Sequence, residues 1–325
     1  VLLISAALAA AGSVLSAVPA GADGGSVALV AYSTPKPAYG VLSAAFAKTK
    51  AGAGVTITPS FGPSGTQATA VADGLPAGLV NFSSSLDMDK VVKAGLVSPS
   101  WDDGPTKGMV TDSIVSFVVR KGNPKHLETW ADLVKPGIGV VTPNVFSSGS
   151  AKWNLMAAYG AQLAEGKTKG QATAYLSSLL HHTVAQPTSA SAALQTFLSG
   201  QGDVLLDYED DGLYAQRHGA PVTVVTPPET ILIQNPIAVT TSGGPAARAF
   251  LSFLLSPAGQ TLWGQQGYRP VLPSVAAKFN FPQPKTLFTI AHLGGWTTLN
   301  KTFFDPEEGA VARIEQSLGV STASG

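Results

Sequence analysis

Two short stretches carry residue types able to hold a small anion. The first is VTITPS-FGPSG-TQATA, where Ser64 and Gly65 stand at the change from a strand-like run to a helical one. The second is GVVTPN-VFSSGS-AKWNLMAA, with Ser148, Gly149 and Ser150 at the same kind of change. A helix start leaves up to four N–H groups without acceptors and carries about half a positive charge. Glycine lets a ligand approach the backbone and a serine hydroxyl adds an adjustable donor, so each junction reads as an anion site. Serine at such a place also serves as a plain N-cap, satisfying the helix rather than a ligand. Two such junctions in one chain favour a shared cleft.

Other chemistries fail on spacing. Gly166-Lys167-Thr168 ends like a Walker A loop, but position 161 is Ala161 and a helix precedes it rather than a strand. Ser64 lies in Gly62-Pro63-Ser64-Gly65, not in G-x-S-x-G, and the residue three before Lys152 is Gly149, which removes an S-x-x-K pair. His126, His181, His182, His218 and His292 lack metal-ligand spacing, and there is no cysteine. No catalytic residue, metal or cofactor is therefore expected. An exported serine hydrolase using Ser64 or Ser148 is the alternative from another class, although neither serine has a matched base. An adhesion protein with a degenerate site is a third reading. The run Asp207-Tyr208-Glu209-Asp210-Asp211 lacks the spacing of a calcium loop, and Asp210 and Asp211 read as a solvated strand end. Trp153, Leu155 and Tyr159 read as packing on a strong helix.

The elements that must position the junctions follow from periodicity. Strands are predicted at 26–33, 55–60, 78–83, 113–123, 137–144, 202–210, 221–227 and 231–240. Helices are predicted at 38–51, 66–73, 87–96, 126–137, 150–166, 170–183, 191–200 and 246–267, the last broken at Pro257. This alternation predicts parallel, doubly wound sheets. At ~150 residues per domain, 325 residues suggest two domains. No long linker divides them, so the chain is expected to cross between domains more than once, at 113–120 and 231–240.

Composition bounds partners and location. Twenty basic residues balance twenty acidic ones, which leaves no cationic footprint for nucleic acid. Charged residues make up only 12%, against an ordinary share of ~25%, and no polybasic membrane patch stands out. Residues 1–22, VLLISAALAAAGSVLSAVPAGA, read as a secretory signal cleaved after Ala22, so the mature protein is expected to be exported, periplasmic or extracytoplasmic, and soluble.

Longer runs point to one family. In chain order stand ITPSFGPSGTQATAVADGLPAGLV, IVSFVVRKGNPKHLETWADLVKPGIGVVTPN, SSGSAKWNLMAAYG, GDVLLDYED, VTPPETIL, FLLSPAGQ, YRPV and LFTIAHLGGW. RKGNP followed by W-x-D-L-x-K-P-G, V-x-T-P-N and S-S-G is specific in that order. From about Val27 to about Gly319, the chain resembles the periplasmic sulfate- and thiosulfate-binding proteins of ABC importers.

The resemblance implies an α/β, two-lobed periplasmic-binding-protein fold of type II, each lobe a mixed sheet flanked by helices, with the chain crossing between lobes at strands. It places residues 27–117 and 238–319 in lobe 1 and 118–237 in lobe 2. It implies a monomer that holds a dianion without a balancing Arg or Lys and delivers it to a membrane permease. By position, Ser64 is the first-lobe contact, Ser148 and Gly149 open the second-lobe helix, and Ala190 presents a backbone amide. Ser33 stands where the family usually has an acid, Ser150 where it has a second glycine, and Tyr208 where a tryptophan donates its indole N–H. A tyrosine hydroxyl donates too but also accepts. These departures keep molybdate, tungstate and phosphate as alternatives to sulfate. Sulfate carries no proton at neutral pH and suits a donor-only site, whereas hydrogen phosphate calls for an acceptor. Asp207, next to Tyr208 on a strand, is expected to point to the opposite face.

Overall fold

The computed structural model describes residues 25–322, so the proposed signal at 1–22 lies outside the described residues. The chain begins with β1 (Ser26–Tyr32), α1 (Lys36–Phe46), β2 (Thr56–Gly62), α2 (Ser64–Ala72), β3 (Leu79–Asn81), α3 (Ser85–Lys93) and the long β4 (Met109–Arg120). There follow β5 (Val140–Val141), α4 (Gly149–Ala164), α5 (Lys169–His181), β6 (Thr183–Ala185), α6 (Ala190–Leu198), β7 (Val204–Tyr208), α7 (Glu209–Arg217) and β8 (Val222–Val225). The long β9 (Glu229–Val239) leads to α8 (Pro245–Leu254), α9 (Pro257–Gln265), β10 (Arg269–Pro270) and α10 (Pro273–Ala276). Last come β11 (Thr286–Phe288), α11 (Trp296–Phe303) and α12 (Ala310–Ser317).

Two sheets of the same strand order share the long strand β4. The first runs β2-β1-β3-β9-β4, and the second runs β6-β5-β7-β4-β8. Within each, the first three strands are parallel, as the alternation predicts. The crossing strands run against them, so β3–β9, β4–β9, β4–β7 and β4–β8 are antiparallel and both sheets are mixed. The change of lobe falls within β4: Ile114 still pairs with β9, whereas Val115 pairs with β7. Ile114, Val115, Phe117 and Val118 are fully buried, because a central strand is covered on both faces.

Three local expectations are corrected. The helix expected at 126–137 shrinks to a single 3₁₀ turn, Trp130–Val134, held by a capping box between Thr129 and Asp132 and stopped by Pro136. The strand expected at 137–144 pairs only at Val140–Val141. The end of the chain, assigned to lobe 1, packs on the second lobe instead. Helix α4 is buried nearly all round, as a helix central to its lobe must be. Trp153 and Tyr159 on α4 meet Trp296 and Phe303 of α11 edge-on at 4.7 and 4.8 Å between ring centres. Gly160 has no side chain because a Cβ there would lie 2.2 Å from the Phe288 ring of β11. By contrast, Phe250 of α8 and Trp263 of α9 do join the first-lobe core with Leu29 and Leu42.

Candidate functional site

Both serine–glycine junctions are helix starts, and neither serine acts as a cap. Ser64 is the first residue of α2 and Ser148 directly precedes α4, yet neither helix has a side-chain cap bond. The Ser64 hydroxyl instead donates to Asp87 Oδ2 at 2.7 Å and accepts the Ser83 N–H at 3.0 Å. The Ser148 and Ser150 hydroxyls bond each other at 2.7 Å. The first-turn N–H groups of α4 therefore have no intrahelical acceptor and no serine cap, and α2 likewise starts without a serine cap. Among the described residues, neither serine hydroxyl has a histidine partner.

Ser83, two residues past the end of β3, draws the two junctions together. Its carbonyl accepts Trp153 Nε1 at 2.7 Å and Asn235 Nδ2 at 3.2 Å. Its hydroxyl lies so close to Gly149 that a Cβ there would come within 1.9 Å of it. Tyr208 ends β7 with its phenol fully buried and close to the Ser83 and Asn235 side chains, though with neither in the geometry of a full hydrogen bond. Burial pushes that phenol well above its ordinary pKa, with Asn235 and Ser83 acting the other way, so it stays a neutral O–H group. Ser33 follows β1, between Tyr32, whose ring centre is 6.2 Å from that of Tyr208, and Thr34, which donates to Asp211 Oδ2 at 3.0 Å. Ala190 opens α6, where Ser189 caps the Ala192 N–H. The preceding Thr188 carbonyl accepts the Ser147 hydroxyl, which ties this loop to the α4 start.

The sequence-expected residues Ser64, Ser148, Gly149, Ser150 and Tyr208 thus gather round Ser83, with Ser33 on the loop after β1 and Ala190 at the start of α6. Residue spacing does not single out Ser83, Asp87 or Asn235, and it assigns Trp153 to packing alone. The Ser83-Ser84-Ser85 run just past a parallel strand was a usable signal, because ligands bind beyond the carboxyl ends of such strands.

The acidic run after β7 is also corrected. Asp210 and Asp211 are buried, not solvated, and the Asp207 carboxylate accepts the Tyr208 N–H. Burial raises Asp207, and it raises Asp211 with help from the Asp207 and Asp210 carboxylates. Burial carries Asp210 up to about 7 despite the Ser113 hydroxyl donating to it at 2.6 Å. Burial likewise lifts Asp112 to about 7 against the pull of Arg269, which forks onto Glu209 at 2.7 and 3.0 Å. A carboxyl raised in the folded state lends stability that is complete below its unfolded pKa of about 3.9 and is lost as pH rises through its folded value. The melting temperature is therefore expected to fall between pH 5 and pH 8. Asp210→Asn keeps an oxygen for Ser113 but cannot ionise, and should flatten that fall. Calorimetry across this range checks it, and a flat or rising wild-type profile would refute it.

Comparison with known proteins decides the family. A model of the bacterial extracellular solute-binding proteins matches residues 27–269. The chain belongs to that family. Among its relatives, a sulfate-binding protein of Synechococcus elongatus is 37% identical over 90% of this chain and 87% of its own length. A thiosulfate-binding protein of Pseudomonas aeruginosa is 33% identical over 93% of this chain and 95% of its own. The solved structure of the sulfate-binding protein SubI from Mycobacterium tuberculosis H37Rv superposes with a TM-score of 0.84 at 45% identity. That match covers 86% of this chain and all of that one. This solute-binding protein has the two-lobed type II fold, and the Trp153–Ser83 and Thr34–Asp211 bonds join its lobes. Among the described residues, no helix is long and apolar enough to cross a membrane.

Proposed function

We propose that this protein captures sulfate, and thiosulfate with it, between its lobes and delivers the closed complex to an ABC permease outside the cytoplasm. Residues 1–22 would serve as its export signal. The observation that carries this reading is a buried, unpartnered tyrosine hydroxyl between two uncapped helix starts from opposite lobes. Backbone amides at the starts of α2, α4 and α6, with the Ser148–Ser150 pair, Tyr208 and the loop at Ser33, form the donor set. The names of the relatives agree with this ligand class.

About six charge-assisted hydrogen bonds at ~1.5–3 kcal/mol each give roughly 9–18 kcal/mol before costs. Ordering and closure subtract several kcal/mol, which leaves room for a Kd at or below ~1 μM. One observation favours hydrogen phosphate as a second reading: the Asp87 carboxylate, buried beside Ser64, is an acceptor able to take a phosphate proton. Its Oδ2 already accepts Ser64 at 2.7 Å and Ser84 at 3.4 Å, which favours the unprotonated anion.

The test is calorimetric titration of the protein, stripped of anion by unfolding and refolding, with sulfate, thiosulfate, molybdate and phosphate at neutral pH. Micromolar or tighter sulfate binding is expected. Tight phosphate or molybdate binding without sulfate heat would transfer the function to that anion, and silence with all four would end the oxyanion reading.

A further inference from the structure

We propose that the Ser83 hydroxyl is a direct donor to the bound oxyanion, acting with the Tyr208 hydroxyl across the cleft; this rests on the capture function proposed above. The backbone of Ser83 is fully engaged: its N–H goes to Ser64 Oγ, and its carbonyl takes Trp153 Nε1 and Asn235 Nδ2. Only its Oγ is left over. That oxygen is buried in a residue 1% exposed and has no hydrogen-bond partner, a condition native structures seldom leave unmet without a ligand or water.

Its position says which ligand. The hydroxyl is held against Gly149, the first residue of α4, where helix N–H groups collect negative charge. The Tyr208 hydroxyl lies beside it, equally buried and equally unpartnered, and comes from the other lobe. The two lie close enough for each to act on the other, yet neither reaches the geometry of a full hydrogen bond. One anion oxygen accepting from both would satisfy both at once, and neither hydroxyl needs to carry charge. Ser84, the next residue, already donates to Asp87 and has no such vacancy.

The experiment compares Ser83→Ala with wild type and with the neighbouring control Ser84→Ala by sulfate titration and by melting of the anion-free protein. The expected result for Ser83→Ala is a Kd raised tenfold or more, with melting unchanged or slightly higher because an unpaired hydroxyl has gone. Ser84→Ala should shift Kd by less than threefold. A Ser83→Ala Kd within threefold of a sulfate-binding wild type overturns the Ser83 assignment and leaves the capture function standing. A wild-type protein that binds none of the oxyanions overturns both. Should Ser83→Ala lose cooperative melting, Ser83→Thr keeps a hydroxyl and Tyr208→Phe removes its counterpart. Affinity kept by the first and lost tenfold by the second supports the pair, and the reverse pattern refutes it.

Discussion

Replacing Ser148 with glutamate is expected to abolish sulfate binding at millimolar concentrations while leaving the protein folded. Ser148 precedes the first turn of α4, is 4% exposed, and shares a hydroxyl–hydroxyl bond with Ser150. A carboxylate there meets a dianion at close range. At an effective dielectric near 20, each pair of unit charges ~4 Å apart costs about 4 kcal/mol. Two such pairs exceed a thousandfold in affinity, at about 1.4 kcal/mol per tenfold. The helix itself accepts the change, because negative charge at an N-terminus is favourable and no capping bond is lost. Titration with sulfate, with melting as the fold control, measures the effect. Binding within tenfold of wild type would remove Ser148 from the site.

Gly149→Ala should weaken sulfate binding at least a hundredfold by a different route. Within α4 the extra methyl is harmless, since position 149 has ordinary helical geometry. Across the cleft it would lie 1.9 Å from Ser83 Oγ and 3.0 Å from Asp87 Oδ2. Both partners belong to the first lobe and α4 to the second, so the clash exists only when the lobes close. The variant should therefore melt like wild type without anion and fail to contract in small-angle scattering when sulfate is added. Adding Ser83→Ala to it should recover part of the loss, because the 1.9 Å contact is to the deleted hydroxyl. Sulfate binding by Gly149→Ala within threefold of wild type would show that the two surfaces need not meet this closely.

The site was partly legible because its most local features are written in the chain. Ser64-Gly65 and Ser148-Gly149-Ser150 announce helix starts through the change from strand to helix spacing, and α2 and α4 begin at those points. Sequence reasoning lost its grip where a residue's neighbours come from elsewhere. Asp210 and Asp211 looked solvated because charge usually means exposure, yet α7 is packed beneath Thr34 and Ser113, and burial raises both carboxyls instead. The stretch 126–137 had helical spacing, but its hydrogen bonds close only one 3₁₀ turn before Pro136. The C-terminal helices followed the first lobe in the expected chain order, but their aromatic faces found α4.

By itself, the sequence determined the α/β alternation, the parallel strand sets and the starts of α2 and α4. Each of these depends on backbone geometry and side-chain period over a few residues. Tertiary structure alone decided that Ser83 would be left with a free hydroxyl, that Gly149 would need to stay bare, and that Tyr208 would face Asn235 and Ser83. Those outcomes depend on which atoms meet when two lobes close, and residues far apart in sequence supply opposite sides of every such contact.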